Sequence, residues 1–600
     1  MCGIAGAVCF QGLPPSADRI VGAMTSSLAA RGPDGQGDFN DAFVSFGHRR
    51  LAILDAQGGA QPFFNEDGKV VVTFNGEIYN HRELRARLRE RGHRITGYCD
   101  GEVLAHLYED HGARFLDYLD GMFAFALYDA RERRLILGRD RTGEKPLYYV
   151  VRNDTLFFAS SVAALWRIPG LKPALDLQGI VGYFAHTQAL SPVSMFEHVS
   201  KLPAGHFLAF GDDGIRTIAP YWQLNYCDKT RATYEESVES LDSLLCTAVE
   251  TSLDSDHPIA LTLSGGVDSS LVLAYACAAG GETPPVCYTL GADDADEEFE
   301  RAQSVGQRFG VVTDRYTVPP LTYGAVVQAL RSFDEPVNVY DSVYLLEHSR
   351  RIAKKHRVAM TGNGADEAFG GYAGYLAWLD DIGDVASRSA APHVLIERLL
   401  SQAIAGDADE LFSARMRNYC REYDVTSHLA PMHAIARYDT AVDARLCYDL
   451  FAGMSHCASL GDTIGMTHAL EYRAPFLRQA ILEFAASLPA EWKVCVRTRA
   501  NKPILKTLAL RRIPDFPSFA PKLGCGHNVD RYTLMRENWR LDFEAALART
   551  RELTARFLDP IKVSRLWSAF VSGRTTPACE RRALKLVLLV AWIEAHSSLF

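Results

Sequence analysis

The second residue of the chain is a cysteine, in MCGIAG, so loss of Met1 places a thiol and a free α-amine on one residue. An α-amino group with a pKa of roughly 7.7–8.0 can take a proton from the neighbouring thiol near neutral pH, supplying nucleophile and base without a histidine. The thiolate can then attack an amide carbonyl. A second chemistry is written in LSGGVDSS (263–270), which joins the apolar run IALTLS to the helical stretch VDSSLVLAYACAA. Ser264, Gly265 and Gly266 then sit at a helix N-terminus, where free N–H groups and the helix dipole favour phosphate. No Gly-Lys-Ser/Thr follows, so this is not the lysine-bearing phosphate loop of P-loop enzymes. A second glycine-rich turn, TGNGADEAFGGY (361–372), follows the strand candidate VAMTG (358–362).

The elements that must position these residues fall into two groups. From residue 1 to about 210, β-type runs such as VVTFNGEIY, MFAFALYD, RLILGRD and PLYYVV alternate with turn residues, which reads as stacked antiparallel sheets. From about 235 the order becomes strand, turn, helix, strand (IALTLS, VDSSLVLAYACAA, VCYTLG), the βαβ pattern of a parallel sheet. Most of 390–600 has helical periodicity. LPAGHFLAF reads as closing the first unit, and the polar stretch TRATYEES as a short connector. No internal repeat or low-complexity segment is present.

Composition bounds the function. At 600 residues and 66.3 kDa the chain exceeds one hydrophobic core. Lys+Arg 63 against Asp+Glu 73 gives a net charge of −10, the wrong sign for a protein that grips nucleic acid. Thirteen cysteines without a Cys-x-x-Cys pair argue against a disulfide framework or a thiolate zinc site, and point to a reducing, cytoplasmic compartment. The longest apolar stretch, 584–593, contains Lys585 and falls well short of the ~20 residues of a membrane helix. MCGIAGAVCF has no secretory-signal pattern, so the mature end is expected very near Met1.

MCGIAG, RGPDG (31–35), GHRRLAILD (47–55), FNGEIYNH (74–81) and YCDGEVL (98–104) together resemble class II glutamine amidotransferases, which act through an N-terminal cysteine. The resemblance implies that Cys2 is the nucleophile and that glutamine lies against Arg50, Leu51, Ala52, Ile53 and Leu54. Arg50 would take the α-carboxylate, Glu77 and Asp100 the α-ammonium, and Asn75 and Gly76 would form the oxyanion hole. SGG-x-DS resembles the pyrophosphate loop of ATP pyrophosphatases, and the second glycine turn looks like the partner loop of the asparagine synthetase family. KPLYY (145–149), ALEYRAPFL (469–477) and the tail WSAFVS…LVLLVAWIE extend that resemblance over nearly the whole chain. It implies an α+β glutaminase unit of the N-terminal-nucleophile type over 1–215, and over 235–600 an α/β parallel-sheet ATP-pyrophosphatase unit with a helical C-terminal extension. ATP would contact Leu263, Ser264, Gly265, Gly266, Asp268, Ser269, Leu290, Thr361 and Gly362; Mg²⁺ would sit on Asp268 and Asp366; Lys502, in NKPILK, would neutralise the departing pyrophosphate.

The implied reaction consumes glutamine, ATP and a carboxylate, and yields an amide, glutamate, AMP and pyrophosphate, with ammonia crossing an internal passage. Aspartate or a specialised carboxylic acid is the acceptor, and a homodimer is compatible with the family. An amide ligase or cyclase using an amine nucleophile is the alternative, and a non-catalytic regulatory protein the rival from another class; retention of Arg50, Asn75, Glu77 and Asp100 weighs against the first. Departures from the family bear on the acceptor: Asn363 stands where an acidic residue is usual, and a neutral amide cannot act as a general base. Tyr340 falls near a substrate-contacting arginine, Arg478 replaces the aspartate of PFLD, and Ser161 and Ala163 replace a Glu and a Lys. His106 and His111 read as ordinary surface or core residues, the run 293–301 as a loop leading into a solvated helix, and Cys9, Cys99 and the later cysteines as small buried hydrophobes.

Overall fold

The computed structural model describes residues 2–186, 188–214, 216–280, 284–291, 296–318, 320–337, 340–382, 392–517 and 530–600. Part of the acidic run 293–301 and part of EPVNVYDSVY lie outside these residues; the helix that follows the run, Glu297–Arg308, is capped by Asp296.

The first unit is a sandwich of two six-stranded antiparallel sheets. In one, Gly3–Val8 lies between Val44–Arg50 and Thr155–Ala159; in the other, Val70–Ile78 pairs with Gly121–Asp129 along its full length. Alternation along each strand sends one set of side chains between the sheets, where Ile4, Val8, Phe46, Ala124, Leu137 and Phe158 make a shared core. The opposite faces are covered by helices. Helix Ala17–Ser27 packs Val21 and Met24 toward Ala5 and Ala7, while His81–Glu90 and Val103–His111 bury Leu84, Leu88, Leu104 and Leu107 against Val72 and Phe74. Cys2 therefore enters the molecule at the head of a strand paired on both sides.

The second unit is built on a five-stranded, wholly parallel sheet. Its spatial order is Thr313–Thr317, Val286–Gly291, Ile259–Thr262, Val358–Met360, Glu471–Arg473. The chain thus winds outward in one direction from Ile259–Thr262 and then restarts on its other side with Val358–Met360. That reversal is a topological switch point, and the carboxyl ends of the two strands flanking it open a crevice suited to a ligand. Both glycine-rich turns leave from those two strand ends. Helices fill most of 392–600, and the apolar run 584–593 belongs to the helix Pro577–Ala595, which is buried from Ala583 to Ile593 except at the half-buried Lys585. No helix among the described residues is long and apolar enough to cross a membrane.

Two expectations need correction. TRATYEES is only partly connector, because Thr233 and Glu236 form a capping box that starts the helix Tyr234–Ser252. The later cysteines are not uniformly buried: Cys287 and Cys447 are, whereas Cys227, Cys246, Cys277, Cys420, Cys495 and Cys579 are half-exposed, and all of these are free thiols.

Candidate active site

Cys2 is buried, and its nitrogen donates to Asn75 Oδ1 at 2.8 Å. Strand pairing makes this contact possible: Asn75 and Gly76 lie on the central strand Val70–Ile78, opposite Ala124 and Phe123. A Cβ on Gly76 would lie 2.1 Å from the Met122 carbonyl oxygen, so only glycine fits there. With Oδ1 engaged, Asn75 Nδ2 is a buried donor without a hydrogen-bond partner. Burial pushes the Cys2 thiol up, while the chain's amino terminus, the Leu51 N–H and Arg50 pull it back.

A cavity opens beside Cys2, lined by Arg50, Leu51, Ile53, Leu54, Gly76, Glu77 and Asp100 among others. The Arg50 guanidinium is held in place by the carbonyls of Leu54 (3.0 Å), Asp55 (2.6 Å) and Ala56 (3.0 Å). Asp100 accepts the Ile78 N–H at 2.8 Å, and burial raises its carboxyl. Glu77 is raised well above the carboxylate range by burial, against the pull of Arg473. Ala52 is not part of this lining; its N–H donates to Asp34 and its carbonyl meets His257. Sequence reasoning missed Gln61, Cys99 and Glu471, which also line the cavity.

The second site lies at the switch point. A Cβ on Gly362 would lie 2.8 Å from Asp268 Cβ, so glycine is what lets the two loops touch. Gly265 has φ +70°, a left-handed conformation, with the backbone of Arg301 close behind it. Ser269 Oγ accepts the Ser264 N–H at 3.2 Å and lies 3.1 Å from Ser264 Oγ, so the helix N-terminus and loop are one tied turn. Leu263 and Leu290 are buried beside it. Lys502, buried and left-handed just before Pro503, reaches across to place Nζ 2.7 Å from both Asp268 oxygens and 2.5 Å from Asp366. Burial alone would lower its pKa, but the two carboxylates outweigh it and raise it. Two acidic side chains converging on one cationic atom form the hard-oxygen donor pair that a divalent cation such as Mg²⁺ takes up. Glu367, next to Asp366 and buried, is a further group that sequence reasoning missed. Burial pushes it up to about 8, and Tyr372 donates its hydroxyl to it.

Arg473 joins the two sites. Its guanidinium contacts Glu77 at 2.8 Å and Glu471 at 2.6 Å, and its backbone carbonyl accepts the Thr361 N–H at 3.0 Å. The EYR of ALEYRAPFL thus spans from the cavity to the second glycine-rich loop.

Three of the departures lie in the seam between the units. Arg478 donates to Asp120 at 2.5 Å and lies 4.0 Å over the Tyr79 ring. Ser161 Oγ donates to Asp334 at 2.9 Å, and the Ala163 N–H meets the same carboxylate at 3.3 Å. These residues clasp one unit to the other. Tyr340 is buried, with its hydroxyl 3.1 Å from that of Tyr344 and its ring beside Trp539 and Arg531. Asn363 is in the second loop, its N–H on Thr361 Oγ1 at 3.3 Å.

A nucleophile pocket on an antiparallel sandwich, paired with a switch-point crevice on a parallel sheet, defines a two-site amidotransferase ligase. Residues 1–222 match the glutamine amidotransferase domain family, and residues 240–594 match the asparagine synthase family. A glutamine-hydrolysing asparagine synthetase 3 from Bacillus subtilis (strain 168) is 29% identical over 544 residues, covering 86% of this chain and 85% of that one. The amidase chry2 from Gibberella zeae is 27% identical over 573 residues, covering 82% and 83%. The chain belongs to the asparagine synthase family, and its chemistry is glutamine-dependent amide synthesis of the asparagine synthetase type.

Proposed function

We propose that Cys2, freed by loss of Met1, attacks the side-chain amide of glutamine. Its own α-amine takes the thiol proton and passes it to the leaving ammonia. Arg50 holds the α-carboxylate, Glu77 and Asp100 hold the α-ammonium, and the oxyanion rests on Asn75 Nδ2 and the Gly76 N–H. Water then hydrolyses the thioester. The observation that carries this reading is the Cys2 nitrogen on Asn75 Oδ1 at 2.8 Å, with Asn75 Nδ2 left as a buried donor. An orphaned buried donor costs about 1–3 kcal/mol, and an arriving oxyanion would offset it.

On the synthetase side ATP lies over the switch point: phosphates on Ser264, Gly265, Gly266 and Ser269, adenosine against Leu263, Leu290, Thr361 and Gly362. Asp268 and Asp366 would hold Mg²⁺, which when bound neutralises phosphate charge, and Lys502 meets the departing pyrophosphate. Ammonia displaces AMP from an acyl-adenylate. The acceptor is aspartate or a specialised carboxylic acid, and the neutral Asn363 favours the second, because it removes a proton acceptor from the loop.

Glutamate and AMP release, measured together for the native chain and Cys2→Ala, test both halves. The native chain is expected to release AMP only with glutamine and a carboxylate from a panel that includes aspartate. Cys2→Ala should need ammonium chloride instead. Glutamine hydrolysis surviving in Cys2→Ala refutes the nucleophile assignment, and asparagine formed at full rate from aspartate refutes the argument from Asn363.

A further inference from the structure

Away from both sites, Glu66, His93, His106 and Glu109 bring four ligand-capable atoms within 4.8 Å of one another. They come from three places in the chain. Glu66 is in the turn before the strand Val70–Ile78, His93 follows the helix His81–Glu90, and His106 and Glu109 share one face of the helix Val103–His111 at i and i+3. His106 is 1% exposed and neither ring nitrogen makes a hydrogen bond, although Nδ1 faces Glu66 Oε2 at 3.3 Å and Glu109 Oε2 at 4.0 Å. Glu109 Oε2 is likewise buried without a hydrogen bond. The spacing that made His106 look ordinary in the sequence concealed partners from other elements.

We propose that these four residues form a site for a divalent transition cation of the Zn²⁺ type. Metal–ligand bonds of about 2.0–2.2 Å at tetrahedral angles put neighbouring ligand atoms roughly 3.3–3.6 Å apart. The contacts here are 3.2 Å (His93 Nδ1 to Glu66 Oε1), 3.3 Å (His106 Nδ1 to Glu66 Oε2) and 4.0 Å (His106 Nδ1 to Glu109 Oε2), with all four ligand atoms within 4.8 Å, so the shell closes by a contraction of roughly 1 Å at its widest pair. Outer partners already orient the donors, as in established metal sites. Asp110 lies 3.3 Å from His93 Nε2, and a proton held there leaves the Nδ1 lone pair facing inward. Asn65 donates to Glu109 Oε1 at 2.7 Å and Arg131 to the same oxygen at 3.1 Å, leaving Oε2 for the ion, while the Arg94 N–H fixes Glu66 Oε1 at 2.8 Å. Two imidazoles and two carboxylates suit zinc better than calcium or magnesium, which take oxygen. The helix that supplies His106 and Glu109 follows directly on the turn Asp100–Glu102, so the ion would tie Asp100's flank of the glutamine cavity to the neighbouring strand turn.

Full-length Cys2→Ala protein, which lacks the N-terminal thiol, is stripped with a chelator and dialysed against Zn²⁺, and X-ray absorption separates nitrogen and oxygen ligation from capture by the half-exposed thiols. The expected result is one retained equivalent that His93→Ala lowers in affinity at least tenfold and Glu109→Gln with His93→Ala abolishes, with circular dichroism confirming each fold. X-ray absorption on the loaded native chain should show nitrogen and oxygen ligands including two imidazoles. No retained zinc, equal retention in the folded His93→Ala variant, or sulfur in the native shell each overturns the proposal.

Discussion

Arg473→Met tests whether the two halves share one charge. The guanidinium holds Glu77 at 2.8 Å and Glu471 at 2.6 Å, with the Ser252 and Asp254 carbonyls at 2.9 and 2.6 Å. All three charged side chains are buried. Removing one partner of a buried ion pair costs about 3–5 kcal/mol, because the remaining charge is stranded. Carboxylates stranded in this way take up protons. Burial already raises Glu77 against the pull of Arg473, so loss of that pull raises it further and favours its neutral form. A neutral Glu77 forfeits a charge-assisted hydrogen bond to the glutamine ammonium, worth roughly 1.5–3 kcal/mol. At 1.36 kcal/mol per decade this is about a 10- to 150-fold loss of kcat/KM for glutamine. Glutamate release between pH 6 and 9, with circular dichroism confirming the fold and Arg473→Lys run alongside, reads it directly. The expected signature is a raised KM that recovers toward high pH. A folded Arg473→Met protein with KM within twofold of the native chain and an unshifted pH profile refutes the reasoning.

Lys502→Met should cut AMP release at least a hundredfold with either glutamine or ammonium as nitrogen source while glutamine hydrolysis persists, because it removes the cation that bridges Asp268 and Asp366; steady-state AMP assays check it. Glu367→Gln should flatten the pH dependence of stability. Burial raises the folded-state pKa of Glu367 to about 8, so its contribution is complete below about pH 4.5 and lost as pH rises through 8. Thermal midpoints of the native chain should therefore fall relative to Glu367→Gln between pH 5 and 9, and parallel curves would falsify the burial argument. Arg478→Ala, which releases Asp120 and Tyr79, should raise the ratio of glutamate to AMP while ammonium-driven AMP release holds.

What was legible in the sequence was local. Cys2, Arg50, Asn75, Gly76 and Asp100 each sit in a short stretch whose residue types state the job, and the structure brings them around one cavity or onto Cys2 itself. The strand VCYTLG and the helix beginning at Val267 were readable from periodicity alone. Strand order was not, because it depends on which edges pair; yet that order puts the two glycine turns side by side. Arg473 was equally hidden, since it meets Glu77 across 396 residues of chain and no spacing rule spans that distance. Ala52 shows what spacing leaves out: consecutive loop residues look alike in sequence, but its backbone turns to Asp34 and His257 while its neighbours face the cavity. Thr233–Glu236 was readable and passed over, a T-x-x-E cap hidden in a polar run.

The seam between the units carries a set of ion pairs. Arg31 and Lys145 meet Asp462 at 2.6 and 3.4 Å, Lys201 meets Glu335 at 2.7 Å, Arg478 meets Asp120 at 2.5 Å, and Arg473 meets Glu77. Buried pairs contribute little net stability against apolar replacements, since desolvation offsets attraction. They do penalise any displacement that separates the charges, so a seam of them resists sliding more than it strengthens adhesion. Resistance to sliding is what a chain needs if ammonia made at Cys2 must arrive at the switch-point crevice. On this argument Arg478 and Ser161 serve alignment of the two units. Asn363 bears on the chemistry directly: it is in the loop that the proposed acyl-adenylate would face, where a neutral amide leaves the proton of the attacking nitrogen to some other base.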